Sequence, residues 1–445
     1  MASKPEQHPP ASSNRDFVAW FRSVAPYMHA FRGKTLVIAF GGEVVADGKF
    51  TTLAQDLNLL FAAGMRLVLV HGSRPQIEAG LKRRKARARY KDGVRITDPR
   101  ALESVKEAVG VLRVEIDALL SQGLPNSPMA GGAINTVSGN FITAQPYGVR
   151  DGVDFQYTGA VRKVDVAAIN GCLDANNIVI VSNVGYSPTG EVFNCSMEDV
   201  AVATARALGA AKLVFLTDEP VAEAGKPVTE LSAAEAEALL ARDAPLSSDT
   251  RLYLAHAIEA VRAGVPRAHL VSHKEDGALL LEVFTHDGSG CMVTAESVER
   301  LRPATIDDVG GILQLIEPLE AQGILVYRGR ELLEQEIQRF FVMEHDRMIV
   351  GCAALYPFPK GRSAELAALA VRPEFRNYGY GEQLLHYGEA AARKAGHKKL
   401  IVLTTLAEHW FVERGFTETG VSALPEPKRS LYNWQRRSVV LTKTL

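Results

Sequence analysis

The residues best suited to chemistry lie in one stretch of the C-terminal third. Glu365-Leu366-Ala367-Ala368-Leu369-Ala370-Val371 reads as an apolar strand, and Arg372-Pro373-Glu374-Phe375-Arg376-Asn377-Tyr378-Gly379-Tyr380-Gly381 follows it directly. An amphipathic helix comes next, with Leu384, Leu385, Gly388, Ala391, Ala392 and Ala395 on one side. A strand, a turn ending in Arg-x-x-Gly-x-Gly and a helix start gather several backbone N–H groups into one concave turn. Glycine lets a phosphate approach the backbone closely, and a helix N-terminus favours negative charge. The chemistry on offer is phosphate or pyrophosphate binding. A dinucleotide fingerprint needs a third glycine where Leu384 stands. A plain structural turn is the alternative reading.

Other reactive residue types are sparse. Cys172, Cys195, Cys291 and Cys352 are far apart, without CxxC spacing or paired histidines, so neither a disulfide framework nor a zinc site is expected. Cys352 falls among apolar residues and reads as core rather than nucleophile. The basic run Lys82-Arg83-Arg84-Lys85-Ala86-Arg87-Ala88-Arg89-Tyr90-Lys91 suggests phosphate-backbone contact. It is short and offset by acidic residues elsewhere, so a solvated or subunit-contacting loop is the expectation.

The elements that must carry these residues follow from periodicity. Strands are predicted at Thr35–Phe40, Leu67–His71, Ile178–Val181 and Lys212–Thr217. Helices are predicted at Thr52–Ala63, Pro75–Lys82, Ala101–Leu119, Ser196–Leu208 and Thr250–Ala263. Their alternation argues for a mostly parallel open sheet with helices on both faces, an α/β fold. The texture changes near Glu296. A strand at 301–305, a helix near Glu331–Arg339, strands at Met348–Tyr356 and Ala364–Val371, a helix at Gly381–Lys394 and a strand at Lys399–Thr404 predict a smaller α+β domain. Three segments result: a tail, 1–14, expected to be disordered; a first domain, 15–295, opened by a helix that Pro26 should kink; and a second domain, 296–445.

Composition sets the outer limits. A chain of 445 residues implies two domains or more, and 47% hydrophobic with 23% charged residues is globular. Lys and Arg number 50 against 51 Asp and Glu, which argues against a dedicated nucleic-acid binder. The apolar run around Leu67–Val70 is far short of the roughly 20 residues a membrane helix requires. The first 14 residues lack the apolar stretch of a signal peptide. A cytoplasmic protein with no membrane partner is expected.

The turn at Arg376, Gly379 and Gly381 resembles the acetyl-CoA site of the GNAT N-acetyltransferases, and Trp410-Phe411-Val412-Glu413-Arg414-Gly415-Phe416 resembles the closing segment of that family. The resemblance covers about 297–445. It implies acetyl-CoA as cosubstrate, no permanently bound cofactor and no metal. The backbone of Arg376, Asn377, Gly379, Tyr380 and Gly381 would bind pyrophosphate, and N–H groups around Leu369 to Val371 would meet the thioester carbonyl. Glu365 is implied as general base, through a water. Phe411 stands where many members have the tyrosine that protonates the leaving thiolate, so Thr404 or Thr405 would have to donate instead.

Most of 17–295 resembles the amino acid kinase family, most closely the acetylglutamate kinases. The landmarks are Val37-Ile38-Ala39-Phe40-Gly41-Gly42, Leu67-Val68-Leu69-Val70-His71-Gly72-Ser73-Arg74-Pro75, Gly93-Val94-Arg95-Ile96-Thr97-Asp98 and Leu213-Val214-Phe215-Leu216-Thr217-Asp218. Ala39 replaces the lysine that would neutralise a transferring phosphoryl group, and Ser73 and Arg74 stand where the kinases have glycine. Phosphoryl transfer is largely electrostatic stabilisation, so a kinase fold without kinase activity is expected. Both domains in one chain resemble the bacterial enzymes that acetylate L-glutamate at the head of arginine biosynthesis. By that resemblance Arg328, Arg436 and Ser438 hold the two carboxylates, with Arg330 and Arg437 as substitutes. L-arginine would be the inhibitor, bound by Tyr27, His269, Glu282 and Gly288, in a homo-hexamer built partly through the N-terminal helix. Two other readings remain open: a non-catalytic arginine and acetyl-CoA sensor, and an acetylglutamate kinase with an added domain.

Overall fold

The structure is a computed structural model that describes residues 11–445, except 224, 243–244, 286, 298, 347, 359–361, 431 and 435, and except the side chains of 11–14 and 377. The chain divides into two compact units, Met1–Glu296 and Ser297–Leu445.

The first unit is built on strands β1 (Thr35–Phe40), β2 (Arg66–His71), β3 (Thr136–Ser138), β4 (Ile178–Ser182), β5 (Lys212–Thr217), β6 (Glu230–Ser232), β7 (Ala268–Ser272) and β8 (Cys291–Thr294). They form one sheet in the order β6-β8-β7-β5-β1-β2-β4-β3. Every neighbouring pair is parallel except β7 with β8. A sheet covered on both faces needs strands that are apolar throughout rather than alternating. Accordingly Leu36 to Phe40 and Leu213 to Phe215 are fully buried. The helices that cover them start at readable caps. Asp98 accepts from Ala101 N–H ahead of Pro99–Leu120, and Ser196 accepts from Asp199 N–H ahead of Met197–Leu208.

Helix α1 spans Ala11–Phe31. It starts inside the expected tail and runs through Pro26 without a break, because a proline deletes a single N–H while the following turns keep theirs. Val24 is buried, and Tyr27, Met28 and Phe31 pack against the core, while Phe17, Trp20 and Phe21 are exposed. No helix among the described residues is long and apolar enough to cross a membrane.

The second unit holds β9 (Glu299–Pro303), β10 (Phe340–His345), β11 (Met348–Phe358), β12 (Ser363–Val371), β13 (Lys399–Thr404), β14 (Thr417–Thr419) and β15 (Val439–Thr444), in the order β9-β10-β11-β12-β13-β15-β14. All pairs are antiparallel except β12 with β13. That parallel pair is short: Ser363 faces Lys399, Ala364 faces Leu400 and Glu365 faces Ile401. From Leu366 to Val371 the strand has no partner on that side among the described residues. On the other side it stays paired with β11, across a register shift between Cys352 and Ala354. Ala368 adopts φ 52° there, the signature of a bulge that turns a strand away from its neighbour. The sheet therefore forks between β12 and β13.

Candidate active site

The turn below the fork is shaped for an anion. Pro373–Tyr378 is a 3-10 segment, Gly379 takes φ 77°, and helix α2 (Tyr380–Lys394) begins at once. Only glycine adopts that backbone without strain. Glu382 and Gln383 donate their N–H groups to Gly379 O, so the N–H groups of Tyr380 and Gly381 are the ones left at the helix mouth. Arg376 is exposed beside them. A Cβ on Gly381 would lie 3.4 Å from the ring of Trp410, so the motif glycine also lets the closing segment pack close. Tyr380 shares this turn. Its side chain is fully buried, and its hydroxyl donates to Glu299 Oε1, so only its backbone can face a ligand. The side chain of Asn377 lies outside the described residues.

Glu365 occupies the last paired position before the fork and is 5% exposed. Leu369 and Val371 lie along the open edge beyond it. Lys428, on the short helix α3 (Glu426–Arg429), reaches Glu365 Oε1 with Nζ at 2.9 Å. Across the sheet Glu365 pairs with Tyr356. The Tyr356 hydroxyl donates to Glu336 Oε2 at 2.7 Å and also meets the Arg328 guanidinium. Burial, reinforced by the bond to Glu336, pushes this phenol up to about 12.

Arg328 and Arg436 come together. Arg436 donates through Nε to Gly323 O at 3.2 Å and through Nη2 to Ile324 O, which ties the C-terminal segment to the loop bearing Arg328. Burial and then the like charge of Arg328 hold the Arg436 guanidinium below its ordinary range. Like charges that act on each other in this way are relieved when an anion binds. Ser438 is buried next in line, and its carbonyl accepts from Tyr432. Arg330 points to Glu334 instead, at 2.8 Å.

On the other branch of the fork, Thr404 Oγ1 accepts from the N–H groups of Leu406 and Ala407 at 3.3 and 2.9 Å. Its own hydroxyl hydrogen has no acceptor among the described residues. Phe411 packs edge-on against Trp410 and Phe416 in the core. Cys352 is buried, with its thiol pushed up to about 12 by burial, and it donates to Ala368 O at 3.5 Å.

In the first unit Glu282 lies on a short helix, Ala278–Phe284. Its Oε1 is 2.5 Å from His269 Nδ1, and Oε2 accepts the N–H groups of Ser289 and Gly290 at 2.8 and 2.7 Å. Burial pushes the carboxyl up, but His269 and those two N–H donors outweigh it and leave it at about 2. Burial, helped by the charge of Lys212, lowers His269 to about 4. The imidazole is therefore neutral at pH 7, donates from Nδ1, and leaves a buried Nε2 with no partner among the described residues. Gly288, at φ 63°, keeps the loop close enough that a Cβ there would meet Glu282 Oε2 at 2.5 Å.

The Gly41-Gly42 turn is covered by its own chain. Added Cβ atoms would lie 1.8 Å from Glu43 Oε1 and 2.1 Å from Gln76 Oε1. Ser73 is committed to Asn183 at 2.8 Å and Arg74 to Asp249 at 3.3 Å. The basic run continues a helix end into a hairpin, Arg89–Lys91 with Val94–Ile96, and Arg84 pairs with Glu107.

Sequence reasoning missed Tyr356, Glu336 and Lys428. None lies in a motif, and only strand pairing and the fold of the C-terminal segment bring them to Glu365.

Known proteins agree with this architecture. The Amino acid kinase family matches residues 34–272, and the Acetyltransferase (GNAT) family matches 312–416. An amino-acid acetyltransferase of Ralstonia nicotianae is 55% identical over 98% of this chain and 97% of its own. One from Azotobacter vinelandii is 50% identical over 97% of this chain and all of its own length. The crystal structure of N-acetylglutamate synthase from Neisseria gonorrhoeae, complexed with coenzyme A and L-arginine, superposes with a TM-score of 0.86 at 38% identity. That match covers 96% of this chain and 99% of the other. The same enzyme with coenzyme A and N-acetyl-glutamate gives a TM-score of 0.62 at the same identity and coverage.

Proposed function

The chain belongs to the amino-acid acetyltransferases, an amino acid kinase family domain followed by an acetyltransferase (GNAT) family domain, and from that membership we propose that it moves the acetyl group of acetyl-CoA to the amine of L-glutamate. The observation that carries this reading is the position of Glu365 at the root of the β12–β13 fork. The glycine turn proposed to hold phosphate follows the far end of β12, and at its near end Tyr356, which meets Arg328, pairs with Glu365.

In this reading pyrophosphate sits on the N–H groups of Tyr380 and Gly381 beside Arg376. The acyl arm runs along the unpaired edge of β12, where Leu369 and Val371 present backbone donors to the thioester oxygen. Arg328, Arg436 and Ser438 take the two carboxylates of glutamate, a role suited to guanidinium because it bonds carboxylates through two parallel donors. Glu365 accepts a proton from the substrate ammonium through a water, and the freed amine attacks the thioester carbon. Collapse of the tetrahedral adduct breaks the C–S bond, and the second proton that the nitrogen sheds as the amide forms goes to the departing thiolate, which becomes the thiol of coenzyme A. The sulfur leaves toward Thr404, whose hydroxyl has no acceptor among the described residues and can donate a hydrogen bond to it.

The neighbouring domain has lost the lysine of a phosphoryl-transfer site at Ala39, and Glu43 and Gln76 fill its Gly41-Gly42 turn. A regulatory role without kinase activity follows. L-arginine is the feedback inhibitor, held around His269, Glu282, Gly288 and Tyr27, with the unpartnered His269 Nε2 available to accept from its guanidinium. The assembly is a homo-hexamer that uses the apolar face of α1, in the cytoplasm.

The deciding experiment is thiol release from acetyl-CoA on adding glutamate, with and without arginine. Glutamate-dependent release that arginine suppresses supports the proposal, and no release overturns it. Within it, Glu365→Gln should lower turnover by about 10²- to 10⁴-fold, with the deficit shrinking as pH rises and more free amine is present.

A further inference from the structure

Glu365 is more deeply enclosed than a base at a fork needs to be. Its side chain is 6% exposed, and its strand neighbours are Tyr356, whose hydroxyl is committed to Glu336, and Ile401. A carboxylate so enclosed is costly unless another group compensates its charge. Among the described residues the one polar partner its carboxylate makes is Lys428, at 2.9 Å on Oε1.

We infer that Lys428 is a positioning residue for acetyl transfer, holding the Glu365 carboxylate by one oxygen so that Oε2 remains free to take the proton. The inference rests on the reading of Glu365 as the base. Two features distinguish this pair from an incidental ion pair. First, the segment that presents Lys428 is anchored. Leu424 is 1% exposed and packs on Ile401, the strand partner of Glu365, while Arg429 donates to the carbonyls of Ser422 and Leu424 at 2.8 and 2.9 Å. The same segment runs on to Arg436 and Ser438, so one piece of chain carries both the proposed carboxylate ligands and the counter-charge of the base. Second, the head group suits the task. An ammonium is a compact point charge that engages a single oxygen, whereas a guanidinium tends to engage both. Among the described residues, further charged or titratable groups near this pair are Tyr356 and Glu336, Arg328 hydrogen-bonded to Tyr356, Arg339 lying 4.9 Å over its ring, and Tyr432 packed on the Ile401 and Leu424 cluster.

The test compares Lys428→Met, Lys428→Arg and Glu365→Gln in the full-length chain, with kcat and KM for glutamate and acetyl-CoA followed across pH. Loss of an adjacent positive charge should move the acid limb of kcat/KM for glutamate to higher pH by about one unit. Activity on that limb then falls about tenfold, while on the alkaline side it returns to within about threefold of wild type. Lys428→Arg should restore the limb. An unmoved limb in Lys428→Met overturns the inference. So does a rise of more than about tenfold in glutamate KM at every pH with the limb unmoved, because Lys428 would then be a substrate contact. Wild-type turnover in Glu365→Gln removes the base itself. A disabled Glu365→Gln beside an unshifted Lys428→Met removes the positioning role alone.

Discussion

The hydroxyl of Tyr380 donates to Glu299 Oε1 at 2.7 Å. Tyr380 is the first residue of helix α2, and Glu299 opens strand β9 at the start of the second unit. His345 Nδ1 lies 2.7 Å from the same hydroxyl, and Phe375 stacks on the Tyr380 ring at 5.9 Å. The helix mouth proposed to hold pyrophosphate is thus fixed from beneath by a buried aromatic group with a polar tip. Tyr380→Phe keeps the ring and deletes the tip. It should destabilise the protein by about 1 kcal/mol and raise the acetyl-CoA KM about fivefold, with kcat nearly unchanged. Steady-state kinetics with a thermal melt check this, and unaltered values in both would reduce the contact to packing.

At Gly379 the strain is conformational, because a Cβ there would meet nothing within 4 Å while φ is 77°. Gly379→Val should therefore fold but reshape the turn, since a left-handed residue costs about 1–2 kcal/mol, more when β-branched. The expected result is a rise of at least about tenfold in acetyl-CoA KM, one decade per 1.4 kcal/mol. Unchanged acetyl-CoA kinetics in a folded variant would leave the turn a purely structural element.

Glu282→Ala removes the acceptor of three bonds, from His269, Ser289 and Gly290. Inhibition by arginine should disappear while acetyl transfer stays nearly intact, because the residues proposed for transfer lie in the second unit. Titration calorimetry is the direct check. Equal arginine affinity in wild type and variant would put the effector elsewhere.

His71 is fully buried, with Nε2 2.9 Å from Ser182 Oγ, and burial lowers it to about 4. An unfolded chain protonates this imidazole near pH 6.5 while the folded one does not. Stability is therefore full above that value and falls as pH drops toward 4, by about 3 kcal/mol at most. His269 adds a loss of the same sign. Thermal midpoints measured between pH 7 and 4.5 should fall less in His71→Gln than in wild type, and parallel slopes would rule His71 out as the cause.

Local pattern and tertiary structure divide this protein unevenly. Thr35–Phe40, Lys212–Thr217 and Lys399–Thr404 are strands over the spans their periodicity predicts, and Arg376, Gly379 and Gly381 sit in the turn their spacing predicts. These features depend on residues near in sequence: an apolar run buried on both faces, a glycine where φ must be positive, an N-cap serine or aspartate. What the motifs do not hold is set by strand pairing. Phe340–His345 and Val439–Thr444 are strands that the sequence reading does not predict: each lies inside the sheet between two neighbours, and a short apolar run does not distinguish strand from helix. The apolar run in Ala278–Phe284 is helical, a state that so short a run does not specify and that packing decides. Tyr380 carries a motif position, but the core takes its side chain. The fork at Glu365, the meeting of Arg328 with Arg436 and the ion pair from Lys428 to Glu365 all join residues distant in the chain. Such contacts exist only after β12 has bulged at Ala368 and the C-terminal segment has packed on Ile401, so no spacing within the sequence could announce them.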